Sequence, residues 1–330
     1  MRNLFRTGGL AALVESLDLV MVDLGARGGL DEDLHPVAWA TRAIGFEADA
    51  VACEELNRVS PGPWRSVRFL PVALGGREES RTLFIPLNPV GASLLEHNSS
   101  LVDRFGHREL HEVSRTVEVR TVTLDAALAE DSTAHADYLK IDVEGAELEI
   151  LESGRNVLER CSAVKVECSF LEQRMQQPLI WEVCDHLRRR GFAIVDLRDM
   201  HYWRRRPKPA HPFMARSGFP YSRGIVAQCD VLALRESFDP GDVDLGLRAV
   251  LVASALGYFD YALTLVHNWR SLHDELGGRA GSRWEGDLAA IARRIGRIAA
   301  GRELKRRVRS LVPVVRSAIR GLPDRNSSTN

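Results

Sequence analysis

Between residues 20 and 236 the chain alternates short apolar runs with stretches whose apolar positions recur at helical spacing. The runs are Val20–Leu24 (VMVDL), 43–47 (AIGFE), 67–74 (VRFLPVAL), 137–142 (DYLKID), 163–168 (AVKVEC), 193–197 (AIVDL) and 227–234 (AQCDVLAL), with 83–85 and 117–122 as an extra pair. Helical spacing fills 33–43, 50–59, 147–158 and 178–190. Compact apolar runs separated by helices predict a parallel sheet covered on both faces. The last two runs lack a helical pattern between them, which predicts an antiparallel terminal pair. Residues 1–19 read as a helical lead-in, 20–236 as an α/β domain, and 237–330 as an all-helical extension.

Composition narrows this picture little. The 330 residues are 45% hydrophobic and 27% charged, with a net charge of −1, ordinary for a globular chain. Five cysteines at irregular spacing, with no Cys-x-x-Cys pair, argue against a disulfide framework or structural zinc. Glu15 and Asp18 interrupt the first apolar patch, so it reads as an amphipathic helix and not as a secretory leader. No run approaches the roughly 18 apolar residues that a membrane span needs. A cytoplasmic location is expected.

Three segments carry candidate chemistry. The first strand ends in VDLGARGG (22–29), a glycine turn that lets a ligand approach the backbone closely. Its Asp-x-Gly-x-x-x-Gly spacing lacks the tight glycine pair of pyrophosphate binders, and Asp23 suits a ligand ammonium better than a phosphate. Glu47, at the tip of the second strand, is placed to accept both hydroxyls of a ribose. The absence of an adjacent arginine argues against a ribose phosphate. In YLKIDVEGAE (138–147), a Lys-x-Asp closes an otherwise buried strand, and charge there is costly unless it serves a site.

That last segment resembles the hallmark of the FkbM-type methyltransferase family. VDLGARGG resembles its first turn, with Arg27 in place of the usual asparagine. GFEAD (45–49) resembles its second strand end, with Ala48 in place of proline. LPVALGG (70–76), GASLL (91–95), VRTVTLDAAL (119–128), VKVECSF (164–170) and QCDVLALR (228–235) follow in family order. The resemblance implies a class I, Rossmann-like methyltransferase fold: a doubly wound, mostly parallel seven-stranded sheet with an antiparallel last strand. It implies S-adenosylmethionine as methyl donor and usually a hydroxyl as acceptor. Asp23, Gly25, Ala26, Arg27 and Gly29 would cradle the methionine part, Glu47 would hold the ribose, and Ala73 and Leu74 would flank adenine. Ser93, in the serine loop, is a substrate-binding candidate.

A hydroxyl acceptor gains from a base that removes its proton as the new bond forms. Asp142, Glu144 and Glu167 are the candidates, with Asp142 preferred; His97 reads as a solvated loop histidine. Asp142 and Glu167 sharing a divalent metal is the less favoured option, because the sequence shows no dense ligand cluster. The stretch 200–224 holds four prolines, five aromatics and many basic residues, and reads as a substrate lid using Tyr202, Trp203, Arg204 and Arg223. The basic tail from Arg293 carries an apolar stripe, with Pro313 as an expected kink. It suits an anionic membrane surface or an acidic partner protein; no nucleic-acid motif accompanies it. The acceptor is read as a saccharide or another small molecule. Competing readings are N-methylation, a non-catalytic scaffold, and a nicotinamide dehydrogenase that the glycine spacing disfavours.

Overall fold

The computed structural model describes residues 4–6, 8–59, 62–130, 135–205, 224–236, 238–239 and 241–320. After a first helix, α1 (Gly9–Ser16), the chain enters β1 (Val20–Leu24), where five consecutive residues are buried. The segment 33–43, expected as a helix, contains turns and one 3₁₀ turn, Ala38–Ala40, and its last two residues already belong to the second strand. Pro36 removes an amide donor there. Asp31 Oδ1 accepts from the Asp33 amide at 2.8 Å, a local bond that competes with helix formation. β2 (Arg42–Phe46) and α2 (Ala50–Asn57) follow, α2 being capped by Asp49 Oδ1 accepting from the Val51 amide at 3.1 Å.

The third expected strand divides. β3 (Ser66–Leu70) continues the main sheet, whereas β4 (Ala73–Leu74) joins a smaller one with β5 (Glu79–Pro86) and β6 (Val113–Val122). β5 and β6 are the extra pair, and they run antiparallel. Between them lie α3 (Ser99–Phe105) and α4 (Arg108–His111). Next come α5 (Leu124–Glu130) and β7 (Tyr138–Ile141). The helix expected over 147–158 is two, α6 (Glu147–Ser153) and α7 (Arg155–Arg160), parted at Gly154, where a Cβ would lie 2.6 Å from Leu124. β8 (Ala163–Ser169), α8 (Ile180–Arg189), β9 (Phe192–Trp203) and β10 (Ile225–Arg235) complete the sheet. β9 absorbs residues 200–203 of the expected lid; residues 206–223, including Arg223, lie outside the described ones.

The seven-stranded sheet has the order β3-β2-β1-β7-β8-β10-β9, parallel except for β10, which is antiparallel to both neighbours. This is the doubly wound topology of class I methyltransferases. Each face has its own core. Val22, Leu24, Leu139, Ile141 and Val166 meet α5–α8 through Leu128, Ile150, Leu158 and Leu187. On the other face, Met21, Tyr138, Leu232 and Leu234 meet residues from both ends of the chain. Leu10 and Leu13 come from α1, and Val250 and Leu251 from α9 (Val243–Leu256). α10 (Phe259–Asn268), α11 (Arg270–Ala280) and α12 (Trp284–Arg320) contribute Val266, Leu276 and Leu288. The boundary expected at 236/237 therefore runs through a shared core. α12 continues past Pro313 to Arg320; the side chains of its apolar stripe lie outside the described ones. Among the described residues, no helix is long and apolar enough to cross a membrane.

Candidate active site

At the carboxyl ends of β1, β2 and β7 lies a cleft of about 590 Å³, lined by Gly25, Arg27, Phe46, Glu47, Ala73, Leu74, Val90, Asp142 and Glu144 among others. Open α/β sheets bind ligands at this place. Gly25 adopts φ +79°, and a Cβ there would lie 1.8 Å from the Asp142 carbonyl oxygen. Its missing side chain thus admits the neighbouring strand's turn. Asp23, Ala26 and Gly29 do not line this cleft. Ala26 packs against Cys53 and Phe69, and Gly29 borders a separate groove beside Trp64. Asp23 is fully buried: its Oδ2 accepts from the Asp31 amide at 2.8 Å, and its Oδ1 lies 3.2 Å from Lys140 Nζ. Burial pushes its carboxyl up to about 6, with Lys140 opposing.

Glu47 closes one end of the cleft, and an arginine does stand beside it. Arg27 Nε lies 3.4 Å from Glu47 Oε2, and Arg27 Nη2 reaches Asp49 Oδ2 at 3.0 Å. Arg27 Nη1 also donates to the Pro89 carbonyl at 2.7 Å, tying the first turn to the loop after β5. Sequence proximity hid this neighbour, because residue 27 meets residue 47 only through the parallel pairing of β1 with β2. Phe46, Ala73 and Leu74 supply apolar wall, and Glu47 supplies a buried carboxylate whose Oε1 accepts from the Asp49 amide at 2.9 Å. Together with the Gly25 cradle, this set fits S-adenosylmethionine.

At the other end three carboxylates converge. Oxygens of Asp142, Glu144 and Glu167 all lie within 4.8 Å of one another. Lys140 Nζ stands 3.2 Å from Asp142 Oδ2, and Gln228 Nε2 donates to Glu167 Oε1 at 2.6 Å. Glu144 sits in the left-handed region at φ +62°, followed by Gly145 at +123°, so the turn presents its side chain sharply. Burial, with the charges of Asp142 and Glu147 adding, pushes Glu144 up to about 7, against the pull of Arg174. Burial and the same like-charge crowding hold Glu167 well above the usual carboxylate range. The carboxylates of Asp23 and Asp142 keep Lys140 protonated against its burial. The spacing of the three carboxylates suits a hard cation. However, Lys140 and Arg174 already set two positive charges against them.

Sequence reasoning missed what lies underneath. Arg174 is only 2% exposed; its Nη2 donates to Glu144 Oε2 at 2.9 Å and to the Gly91 carbonyl at 3.1 Å. Ser93 is buried, its hydroxyl donating to the Glu144 carbonyl at 2.7 Å, so it supports the turn from below. Trp203 is buried among Phe105, His107 and His111, whereas Tyr202 is 56% exposed. Arg204 follows the end of β9. His97 is no solvated loop residue: its ring stands edge-on to His111 at 5.8 Å, and burial beside Arg174 lowers the two to about 3 and about 4. A second charged network lies behind the first turn. Lys165 contacts Asp31 and stands 3.2 Å from Asp33, and Arg198 joins Asp33 to Tyr258.

No curated protein matches the chain. Among solved structures, the magnesium protoporphyrin IX methyltransferase of Synechocystis PCC 6803, with bound S-adenosylmethionine, is similar at 12% identity and a TM-score of 0.32, over 68% of this chain and 77% of that one. The model of the methyltransferase FkbM domain matches residues 23–194, more than half of the chain. That match spans the glycine turn, the Glu47 strand end and the Asp142–Glu144 turn. The chain belongs to the FkbM family of S-adenosylmethionine-dependent methyltransferases.

Proposed function

We propose that this methyltransferase modifies a hydroxyl group on a saccharide or another small hydroxylated metabolite. The observation that carries the reading is the convergence of Asp142, Glu144 and Glu167 at one end of the cofactor cleft. When bound, S-adenosylmethionine supplies a methyl already activated on a sulfonium. The protein's contribution is therefore alignment, exclusion of water and proton removal. We assign Glu47 to the ribose diol, Ala73 and Leu74 to adenine, and Gly25 and Arg27 to the methionine part, a reading supported by their shared lining of the cleft. Asp142 and Glu144 line the cleft itself, whereas Glu167 stands behind them. We assign proton removal to that pair, because both line the cleft and burial pushes the Glu144 carboxyl up to about 7. A rim of carboxylates accepts hydrogen bonds from a polyol and repels an acceptor that is anionic near its reacting atom.

Calorimetry with S-adenosylmethionine, followed by transfer of a labelled methyl to panels of saccharides, phenols and amines, tests this. Micromolar cofactor binding and label in ether linkage are expected. Label found only on amines would overturn the hydroxyl assignment, and absence of cofactor binding would favour the non-catalytic scaffold.

A further inference from the structure

We infer that Arg174 is a positioning residue, a buried cation that holds the Glu144 carboxylate toward the cofactor cleft and sets its proton affinity. This deepens the proposed function and rests on Glu144 belonging to the reacting face. Three observations carry it. First, Arg174 has no route to water, being 2% exposed, so its charge must be balanced inside the fold. The carboxylate that balances it is Glu144, with Arg174 Nη2 to Glu144 Oε2 at 2.9 Å. Second, the arginine is itself held rigidly. Gln177 Oε1 accepts from the amides of Gln173 and Arg174, and Gln177 Nε2 donates to Ser169 Oγ at 3.2 Å, at the end of β8. The backbone that carries the guanidinium is thereby tied to the end of the strand that carries Glu167. Third, the Gly91 carbonyl takes a second bond from the same Nη2, while Ser93 two residues on holds the Glu144 carbonyl. One loop thus supports both the backbone and the side chain of a turn in the left-handed region.

A cation in this position favours the ionised carboxylate, opposing burial and the neighbouring acids. Without it, Glu144 would keep its proton at neutral pH and could not accept one from a hydroxyl. Lysine at 174 would keep the charge, but its Nζ ends one bond short of the Nη2 that makes both contacts, to Glu144 and to the Gly91 carbonyl.

The test is a carboxyl-carbon NMR titration of the full chain labelled with ¹³C-glutamate, the Glu144 signal being identified by its loss in Glu144→Gln. The midpoint of Glu144 should rise in the order wild type, Arg174→Lys, Arg174→Met, by about 1 pH unit or more in the methionine variant. An unmoved midpoint in folded Arg174→Met overturns the inference. If Arg174→Met does not fold, Arg174→Gln, also neutral, decides by the same criterion. Cofactor calorimetry on the wild type is independent of this result: its failure would strike the methyl-transfer assignment, while the titration would still judge the Arg174–Glu144 pair.

Discussion

On the β1–β2 side, the crevice is walled by Phe46, Ala73 and Leu74, and its lining carboxylate, Glu47, is shared with Arg27 at the rim. On the β7–β8 side, Asp142, Glu144 and Glu167 crowd together over two buried cations, Lys140 and Arg174. We assign recognition to the first half: it joins apolar wall to one carboxylate paired with Arg27, and a ligand would gain by burying area there. The second half is charged, and burial and crowding raise the proton affinity of Glu144 and Glu167, an arrangement that costs stability and is tolerated where chemistry needs it. Binding and reaction should therefore respond separately to substitution.

The sharpest way to break this division is a crossed pair. Asp142→Ala should lower turnover about 1,000-fold, within the range for a general base, while S-adenosylmethionine affinity changes little. Glu47→Ala should do the reverse, weakening cofactor affinity while sparing the rate at saturation. Equal losses of binding in both variants would dissolve the distinction.

A pH series sharpens it on the acidic side, where two kinds of group act with opposite sign. His97 and His111 have folded-state values near 3 and 4, below the ordinary 6.5, so the unfolded chain protonates first. Their contribution to stability is complete above pH 6.5 and is lost as the pH falls below it. Glu147, pushed by burial up to about 7, behaves oppositely: the folded state binds the extra proton, so stability is lost as pH rises from 4.5 toward 7. Relative to wild type, His111→Phe should gain up to about 1.4 kcal/mol for each pH unit below 6.5. Glu147→Gln should gain in the other direction, as pH rises. Denaturant melts at pH 5, 6 and 7 separate the two, and parallel curves would refute the buried titrations. The smallest effect is expected at the rim. Arg27→Asn should weaken cofactor binding about fivefold, the scale of a partly exposed ion pair; tighter binding would mean that Arg27 competes with the ribose for Glu47.

Legibility in the sequence followed the range of the interactions. β1 was readable to the residue because VMVDL is a buried strand with a glycine stop. The 33–43 helix failed because Asp31 and Asp33 are recruited by Lys165 on β8, more than 130 positions away, a partner that no local pattern discloses. The 67–74 run divided because Ala73 and Leu74 pair with β6 and not with β2. The carboxylates of the site were visible, as charges at the ends of apolar strands. Arg174 was not, and Ser93 was read as a substrate contact and not as a support of the turn, since these ties exist only when the 91–95 loop, the Glu144 turn and the segment after β8 are brought together.

The closure of the second sheet face by both chain ends has a consequence for how the molecule comes into being. Gly9 of α1 lies so close to α11 that a Cβ would stand 1.6 Å from the Ala280 carbonyl oxygen. On a ribosome working from the first residue, the strands are complete by residue 235, yet Met21, Tyr138 and Leu232 still face water. They are covered only as α9–α12 emerge. Until then the nascent sheet is a surface for chaperones or for other nascent chains, and a truncation that removes α9–α12 would yield an aggregating product, not a smaller enzyme.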